Sequence, residues 1–219
     1  MTKIFDANRK KMVEFLSGAV VRTESIRKAF LNIKRENFVP ESIKDHAYED
    51  TAAPIWKGQT ISQPTTIATM LELLLVKEGM KILEVGSGSG YVLALLSEIT
   101  GKDGKVFGIE IVPELAETSK KILENQKINA EVKNGDGSLG WKENAPFDRI
   151  IISCACPFIP KNLFDQLSED GRIVAPVGDQ GTQLLEILIK KDGKPVKKTF
   201  EGGVFSFVPL IGKNSFPQK

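Results

Sequence analysis

The chain has 219 residues, of which 41% are hydrophobic and 26% charged, and its formal net charge is +2. This length fits one domain with an extension, and the composition is typical of a globular protein. No apolar run approaches the roughly 18 residues of a membrane span, and the N-terminus lacks a secretory apolar core, so we expect a cytoplasmic protein without a membrane partner. Because the net charge is small, we expect no nucleic-acid partner either.

The first part of the chain, residues 8–50, is predicted to be a small helical extension. Apolar residues recur there at helical spacing in two runs, with Thr23 between them as a candidate N-cap and Pro40 as a stop. Residues 51–63 are predicted to form a loop, and Pro64 suits the first turn of the next helix. The sequence therefore predicts an extension over residues 1–63 and a main domain over residues 64–219.

The main domain alternates between strand and helix patterns. Ile150, Ile151 and Ile152 run without alternation, which indicates a strand buried on both faces. Such alternation predicts a doubly wound, Rossmann-like α/β sheet whose ligand lies at the carboxyl ends of its strands. The predicted strands are 80–85, 105–110, 130–133, 148–154 and 172–176, and the predicted helices are 89–99, 113–126 and one near 161–167.

The last part of the chain predicts an antiparallel hairpin. Residues 183–189 and 195–208 have strand patterns, and Asp192-Gly193 between them is a turn signal. Lysines cluster at 190–198 around this turn, which favours a solvated turn over a track for phosphates.

A glycine loop follows the first strand of the main domain, where Lys81–Gly90 reads KILEVGSGSG. The dinucleotide fingerprint requires a third glycine where this chain has Tyr91. Glu84 lies just before the first glycine, and its charge disfavours a pyrophosphate and suits a cationic ligand. The loop therefore favours S-adenosylmethionine over NAD.

Further candidate cofactor residues lie at the ends of the next two strands. A carboxylate at Glu110 can accept hydrogen bonds from both ribose hydroxyls, and Asp136 can accept from an adenine amino group. Each feature alone has another interpretation: a tight turn at the glycines, a surface residue at Glu110, and a turn at Asp136-Gly137. Together they predict these cofactor-binding residues: Glu84, Gly86, Ser87, Gly88, Ser89, Gly90, Glu110, Ile111, Asp136 and Gly137.

Metal chemistry is not predicted. The chain has two cysteines, Cys154 and Cys156, which cannot complete a four-ligand zinc site, and they are interpreted as small buried residues. The single histidine, His46, excludes a histidine-based centre.

Several segments resemble the protein L-isoaspartyl (D-aspartyl) O-methyltransferases, in that family's order and spacing from about Arg35 to Gly212. The most specific are GQTISQP at Gly58–Pro64 and FVPL at Phe207–Leu210. The others are Arg35–Pro40, Ala47–Asp50, Leu83–Tyr91, Gly135–Gly137 and Ala145–Asp148.

The resemblance implies methyl transfer from S-adenosylmethionine to the α-carboxylate of L-isoaspartyl residues in damaged proteins and peptides. The methyl ester formed on that carboxylate then cyclises to a succinimide. The resemblance also implies that Ser62 is the active-site residue and that Thr60 and Ile61, which precede it, bind the substrate with it. It also makes residues 1–63 a helical extension with an acceptor-side loop, and residues 64–219 a methyltransferase core with C-terminal substrate-binding strands. The tail implied to hold the peptide main chain is Val204, Phe205, Ser206, Phe207 and Val208.

Some points stay open at this stage. Ser62 can equally cap the helix that begins near Pro64. Ser153–Cys156 and Ser206 depart from the family's usual residues. Two other functions share the cofactor fold: a tRNA adenine methyltransferase, which needs a basic surface, and a non-catalytic module that binds the cofactor and damaged proteins.

Overall fold

The computed structural model of the protein describes residues 2–217. The outer ends of the predicted 1–63 and 64–219 segments, Met1, Gln218 and Lys219, lie outside the described residues. Six α-helices lie within the described part: α1 (Thr2–Ala19), α2 (Glu24–Asn32), α3 (Pro64–Leu74), α4 (Tyr91–Thr100), α5 (Pro113–Asn125) and α6 (Lys161–Asp165). None of these helices is long and apolar enough to cross a membrane.

Nine strands lie in the same part of the chain. Two form a small antiparallel pair, β1 (Ala53–Pro54) and β2 (Thr60–Ile61). The other seven form the main sheet: β3 (Lys81–Val85), β4 (Lys105–Glu110), β5 (Glu131–Asn134), β6 (Phe147–Ile152), β7 (Leu167–Gly178), β8 (Gln183–Lys191) and β9 (Lys194–Thr199).

The main sheet has the order β5-β4-β3-β6-β7-β8-β9. Strands β3 to β7 pair in parallel, and β8 and β9 complete the sheet as an antiparallel hairpin. The predicted doubly wound α/β fold with a C-terminal hairpin is thus confirmed. Because the strand order reverses between β3 and β6, a crevice opens at their carboxyl ends.

Both faces of the sheet are covered, as the run of isoleucines in β6 predicts. Ile150 and Ile152 pack into one hydrophobic cluster and Ile151 into the other, and all three are at most 1% exposed. The cluster around Ile151 also contains Leu16 of α1 and Phe30 of α2, so the N-terminal helices cover one face of the sheet.

The extension differs in detail from the predicted pattern. Thr23 precedes α2 as predicted, but its hydroxyl donates to Glu72 Oε2 at 2.8 Å instead of capping the helix. After α2 the chain forms two 3₁₀ turns, Arg35–Phe38 and Glu41–His46.

Three predicted strand or helix ends are wrong. The strand predicted at 148–154 ends at Ile152. Leu167, predicted as helical, begins β7. The strand predicted at 195–208 ends at Thr199, because Gly202 and Gly203 turn the chain and Gly203 has a φ of 147°. The lysine-rich segment forms the solvated turn of the β8–β9 hairpin, as predicted.

Candidate functional site

The glycine loop lies at the carboxyl end of β3, in the crevice that the topology creates. Gly86, Gly88 and Gly90 all have positive φ, between 54° and 89°. A side chain at Gly86 would also crowd Cys154, whose Sγ would lie 3.3 Å from the added Cβ. The loop therefore needs glycine both for its backbone and for its packing against the end of β6.

Glu84 is buried beneath this loop and is 1% exposed. Its Oε1 accepts a hydrogen bond of 2.6 Å from Ser153 Oγ, while its Oε2 has no partner. Burial raises the pKa of Glu84 to about 8, against the Ser153 hydrogen bond, and the neighbouring Glu110 raises it further. A buried carboxylate oxygen without a donor is a site for a cationic or hydrogen-bond-donating group of a ligand.

Glu110, predicted as a ligand residue or a surface residue, is 5% exposed and is not on the surface. Its two oxygens accept backbone hydrogen bonds from Gly88 at 2.8 Å and Val112 at 2.9 Å. Each carboxylate oxygen keeps a second lone pair for a ligand hydroxyl. Glu110 therefore ties the glycine loop to the end of β4 and lies on the same pocket wall as Ile111.

Asp136 lies at the end of β5, beside the pocket wall formed by Gly137. Its Oδ1 accepts from the backbone N–H of Ser138 at 2.9 Å, and its Oδ2 accepts from that of Lys213 at 2.7 Å. The structure thus gives Asp136 the turn role considered from the sequence and adds a contact with the C-terminal segment. The same carboxylate retains a free lone pair on each oxygen.

These strand ends line one pocket. Glycine-loop residues, Glu110, Ile111 and Gly137 form one side, and the C-terminal segment forms the other. The C-terminal wall consists of Val208, Pro209, Leu210 and Ile211.

Ser62 lies between this pocket and an open groove. The serine follows β2, is half-buried, and its hydroxyl donates to none of the described residues. It lines a junction with Ser87, Ser89 and Tyr91 at the glycine loop, and it also lines the groove that runs away from this pocket. Thr60 and Ser153 line all three spaces, so the pocket and the groove meet at these hydroxyls.

The helix-capping interpretation of Ser62 is not what the structure shows. The residue before α3 is Gln63, and the first turn is held by Asp50 from the extension. Asp50 Oδ1 accepts from the Thr65 backbone N–H at 2.8 Å, and Oδ2 accepts from the hydroxyl of Thr65 and from the Gln63 side chain. The Ser62 hydroxyl is therefore free for another task.

The far wall of the groove is the segment Val204–Val208. Phe205 exchanges two backbone hydrogen bonds of 2.9 Å with Gln183 at the start of β8, and the Phe207 N–H donates to the Gln183 side chain. Among the described residues, the main-chain groups of Val204 and Ser206 have no partner. This segment therefore presents an unpaired edge along the groove.

Three residues take part in this arrangement although the sequence predicts no individual role for them: Arg35, Asp50 and Ser153 lie in the segments Arg35–Pro40, Ala47–Asp50 and Ser153–Cys156. Arg35 Nη2 donates to the carbonyl oxygen of Ser62 at 2.9 Å, Asp50 holds the helix after it, and Ser153 pairs with Glu84. No spacing signal links residues so distant in the chain. Cys154 and Cys156 are free and buried, as predicted. Within residues 2–217, no cluster of three or more metal-binding side chains occurs.

Comparison with known families gives one match over nearly the whole chain. The family model described as Protein-L-isoaspartate(D-aspartate) O-methyltransferase matches residues 7–215. The Protein-L-isoaspartate O-methyltransferase 2 of Archaeoglobus fulgidus is 46% identical over 213 residues, covering 97% of this chain and 96% of its own. The Methanopyrus kandleri protein-L-isoaspartate O-methyltransferase is 39% identical, covering 99% and 96%.

Two solved structures are similar over the whole fold. A protein-L-isoaspartate O-methyltransferase superposes with a TM-score of 0.83 at 31% identity, covering 94% of this chain and 66% of its own. A Plasmodium falciparum protein of the same description, solved in complex with S-adenosyl-L-homocysteine, has a TM-score of 0.82 at 26% identity and covers 93% and 98%.

Proposed function

The chain belongs to the protein-L-isoaspartate O-methyltransferase family, and from this premise we propose how its residues share the reaction. The protein is an S-adenosylmethionine-dependent repair methyltransferase that acts on L-isoaspartyl residues. We assign the cofactor to the pocket at the ends of β3 to β5 and the acceptor peptide to the groove beside Ser62. The observation that carries this assignment is the free Ser62 hydroxyl where the two spaces meet.

The residues of the pocket fit S-adenosylmethionine. When bound, the cofactor supplies an electrophilic methyl group on a sulfonium. Glu84 Oε2, buried without a partner at the adjoining junction, suits a cationic group of the cofactor, which carries an ammonium as well as the sulfonium. The free lone pairs of Glu110 suit the ribose hydroxyls. The rest of the cofactor-binding assignment is Gly86, Ser87, Gly88, Ser89, Gly90, Ile111, Asp136 and Gly137.

Ser62 orients the acceptor and does not become covalently bonded to it. A carboxylate has a pKa near 4, so at neutral pH it is already the nucleophile and needs no general base. The Ser62 hydroxyl donates a hydrogen bond to this carboxylate and, with Thr60 and Ile61, places one oxygen in line with the methyl group. Proximity and orientation then supply most of the rate acceleration.

The peptide main chain is held by the segment Val204–Val208. Inward pairing with Gln183 uses the main chain of Phe205 and the N–H of Phe207, which leaves Val204 and Ser206 for the substrate. Main-chain pairing of this kind is indifferent to side chains, as an enzyme with many damaged substrates requires.

The predicted division of the chain follows these roles. Residues 1–63 supply the acceptor side through Asp50 and Ser62, and residues 64–219 supply the cofactor core and the peptide-binding tail.

We also propose a cytoplasmic location and a reaction without metal, membrane or nucleic acid. The free thiols of Cys154 and Cys156 are compatible with a reducing compartment. Cell fractionation tests the location.

A paired-peptide assay tests the acceptor assignment. The protein is expected to methylate a peptide containing L-isoaspartate and not its L-aspartyl twin. Ser62→Ala should lower kcat/KM roughly 100-fold, which is typical for the loss of one positioned donor. Ser17→Ala is the matched control, because the Ser17 hydroxyl donates only to Val13 within α1.

Equal methylation of both peptides would contradict the assignment, and so would unchanged kcat/KM in Ser62→Ala. The two alternatives considered from the sequence are not favoured by the relatives. Methylation of bulk tRNA would restore the first of them, and cofactor binding without turnover on any isoaspartyl peptide would restore the second.

A further inference from the structure

We infer that Arg35, which lies behind the groove, is a positioning residue that holds Ser62 and Tyr91 in the geometry needed for methyl transfer. This inference rests on the proposed role of Ser62. Arg35 belongs to the 3₁₀ turn after α2, within the extension, and it is 1% exposed.

The guanidinium of Arg35 bridges three segments. Its Nε donates to the Ala47 carbonyl at 2.8 Å, and its Nη2 donates to the Ser62 carbonyl at 2.9 Å. Its Cζ lies 4.9 Å from the centre of the Tyr91 ring, in the geometry of a cation–π contact. One side chain thus joins the extension, the loop that carries Ser62, and the first residue of α4 after the glycine loop.

Arg35 is costly to bury in this way. No carboxylate lies within salt-bridge distance of it among the described residues, and its Nη1 has no partner. The neighbouring Glu36 pairs instead with Tyr48 and lies 4.0 Å from Arg9. Buried charges are normally paired, and an apolar residue usually fills such a position at lower cost. Simple space filling therefore does not account for an arginine here.

The contacts of Arg35 explain why an arginine is present, because one contact lies on the acceptor side of the site and another on the cofactor side. Ser62 lines the acceptor groove, and Tyr91 lines the junction beside the glycine loop. The Tyr91 ring is itself fixed by Phe38, with centroids 5.5 Å apart. Methyl transfer requires the acceptor oxygen, the methyl carbon and the sulfur in line, so a tie between the two sides sets that alignment. Asp50 fixes the residues after Ser62, and Arg35 fixes Ser62 itself.

The test compares Arg35→Met with Arg9→Met in the full chain. Arg9 is also buried in the extension, but it contacts Asp6 and Tyr48 and neither Ser62 nor Tyr91. Arg35→Met should lower kcat on the isoaspartyl peptide roughly 100-fold, the size expected for a misplaced reactant. Its affinity for S-adenosylhomocysteine, measured by calorimetry, should stay within about threefold of the wild type, since on the cofactor side Arg35 contacts only the Tyr91 ring and none of the residues assigned to bind the cofactor. Arg35→Lys, which retains the charge but has a single donor nitrogen, should recover part of the lost kcat.

Hydrogen exchange supplies a readout that does not depend on turnover. Arg35→Met should increase amide exchange in the segment 59–66, and Arg9→Met should not. The inference is wrong if Arg35→Met keeps wild-type kcat, or if Arg9→Met lowers kcat equally at the same loss of thermal stability. It is also wrong if affinity for S-adenosylhomocysteine falls as much as kcat. If the wild-type protein methylates no isoaspartyl peptide, the role of Ser62 fails first, and that of Arg35 fails with it.

Discussion

Glu84 shows how a single residue can make cofactor binding depend on pH. Burial and Glu110 raise its pKa to about 8, so in the cofactor-free protein this carboxyl is largely protonated at neutral pH. A cation bound beside Oε2 favours the ionised form. Binding below pH 8 must therefore release a proton, and affinity should rise with pH and level off above the raised pKa.

Calorimetry with S-adenosylhomocysteine, whose ammonium group is cationic, tests this dependence. Between about pH 6 and 8 the affinity of the wild type should rise by up to tenfold per pH unit, with proton release visible as a buffer-dependent heat. Glu84→Gln should bind more weakly and lose most of the pH slope, because the amide does not titrate. Glu131→Gln, at an exposed position of β5, is the control. A slope that persists in Glu84→Gln would assign the proton to another group.

The raised pKa of Glu84 also makes the stability of the folded protein depend on pH. Because the pKa of Glu84 is raised on folding, the unfolded chain binds fewer protons than the folded one between the two pKa values. The cofactor-free protein should therefore lose stability as pH rises from about 4.5 to about 8 through this residue. Cofactor binding offsets that loss, so the raised pKa is the physical link between an unpaired buried carboxyl and its ligand.

At the scale of elements, the C-terminal segment joins the two halves of the site. Val204–Val208 forms the outer wall of the groove proposed for the acceptor, and Val208–Ile211 then forms a wall of the pocket proposed for the cofactor. The segment is anchored to the loop after β6, where Leu210 N–H donates to the Ala155 carbonyl at 2.7 Å. It finally reaches Asp136 through the Lys213 N–H. Peptide and cofactor binding are therefore expected to depend on one continuous piece of chain.

Gly212 provides a test of this anchoring. Its φ is 143°, and a Cβ there would clash with the Asp136 carboxylate. Gly203 on the same segment has a φ of 147° but open space around a Cβ. Gly203→Ala should therefore cost only backbone strain, on the order of 1–3 kcal/mol, whereas Gly212→Ala should also displace the segment from Asp136. We expect the affinity for S-adenosylhomocysteine to fall about tenfold in Gly212→Ala only, a loss of about 1.4 kcal/mol. Equal affinities in the two variants would show that the contact with Asp136 does not shape the pocket.

This segment also shows which elements sequence patterns can and cannot predict. The strands β3, β4 and β6 were predicted within two residues of their ends, because buried parallel strands give continuous apolar runs. The stretch after β9 reads like a strand from its aromatic and β-branched residues, yet it makes isolated bridges, Phe205 with Gln183 and Pro209 with Ala155, and no continuous ladder. Its shape depends on glycines at 202 and 203 and on tertiary partners, which residue preferences do not reveal.

At the scale of the whole molecule, the sequence predicts the residues that face the pocket better than the residues that hold the Ser62 segment in place. Glu84, Glu110 and the glycine loop could be placed because each lies near the end of a recognisable strand or directly after it. Arg35 and Asp50 could not, because they act through contacts 15 to 27 residues away in sequence, within irregular chain. The extension therefore supplies the side chains that hold the segment around Ser62.

The shared core makes a final prediction about cooperativity. Leu16 of α1 and Leu163 of α6 are both fully buried, but on opposite faces of the sheet. Each change to alanine should cost about 2–5 kcal/mol, and both should shift one common unfolding transition, because α1 packs into the same cluster as the sheet residue Ile151. The two tryptophans, Trp56 and Trp141, lie one in each part of the chain, so variants with a single tryptophan report the parts separately by fluorescence. In Leu16→Ala, the Trp56 and Trp141 transitions are expected to coincide. If the Trp141 transition were unchanged from the wild type, the extension would unfold alone. Ser62 would then lose the contacts that hold it while the rest of the chain stays folded.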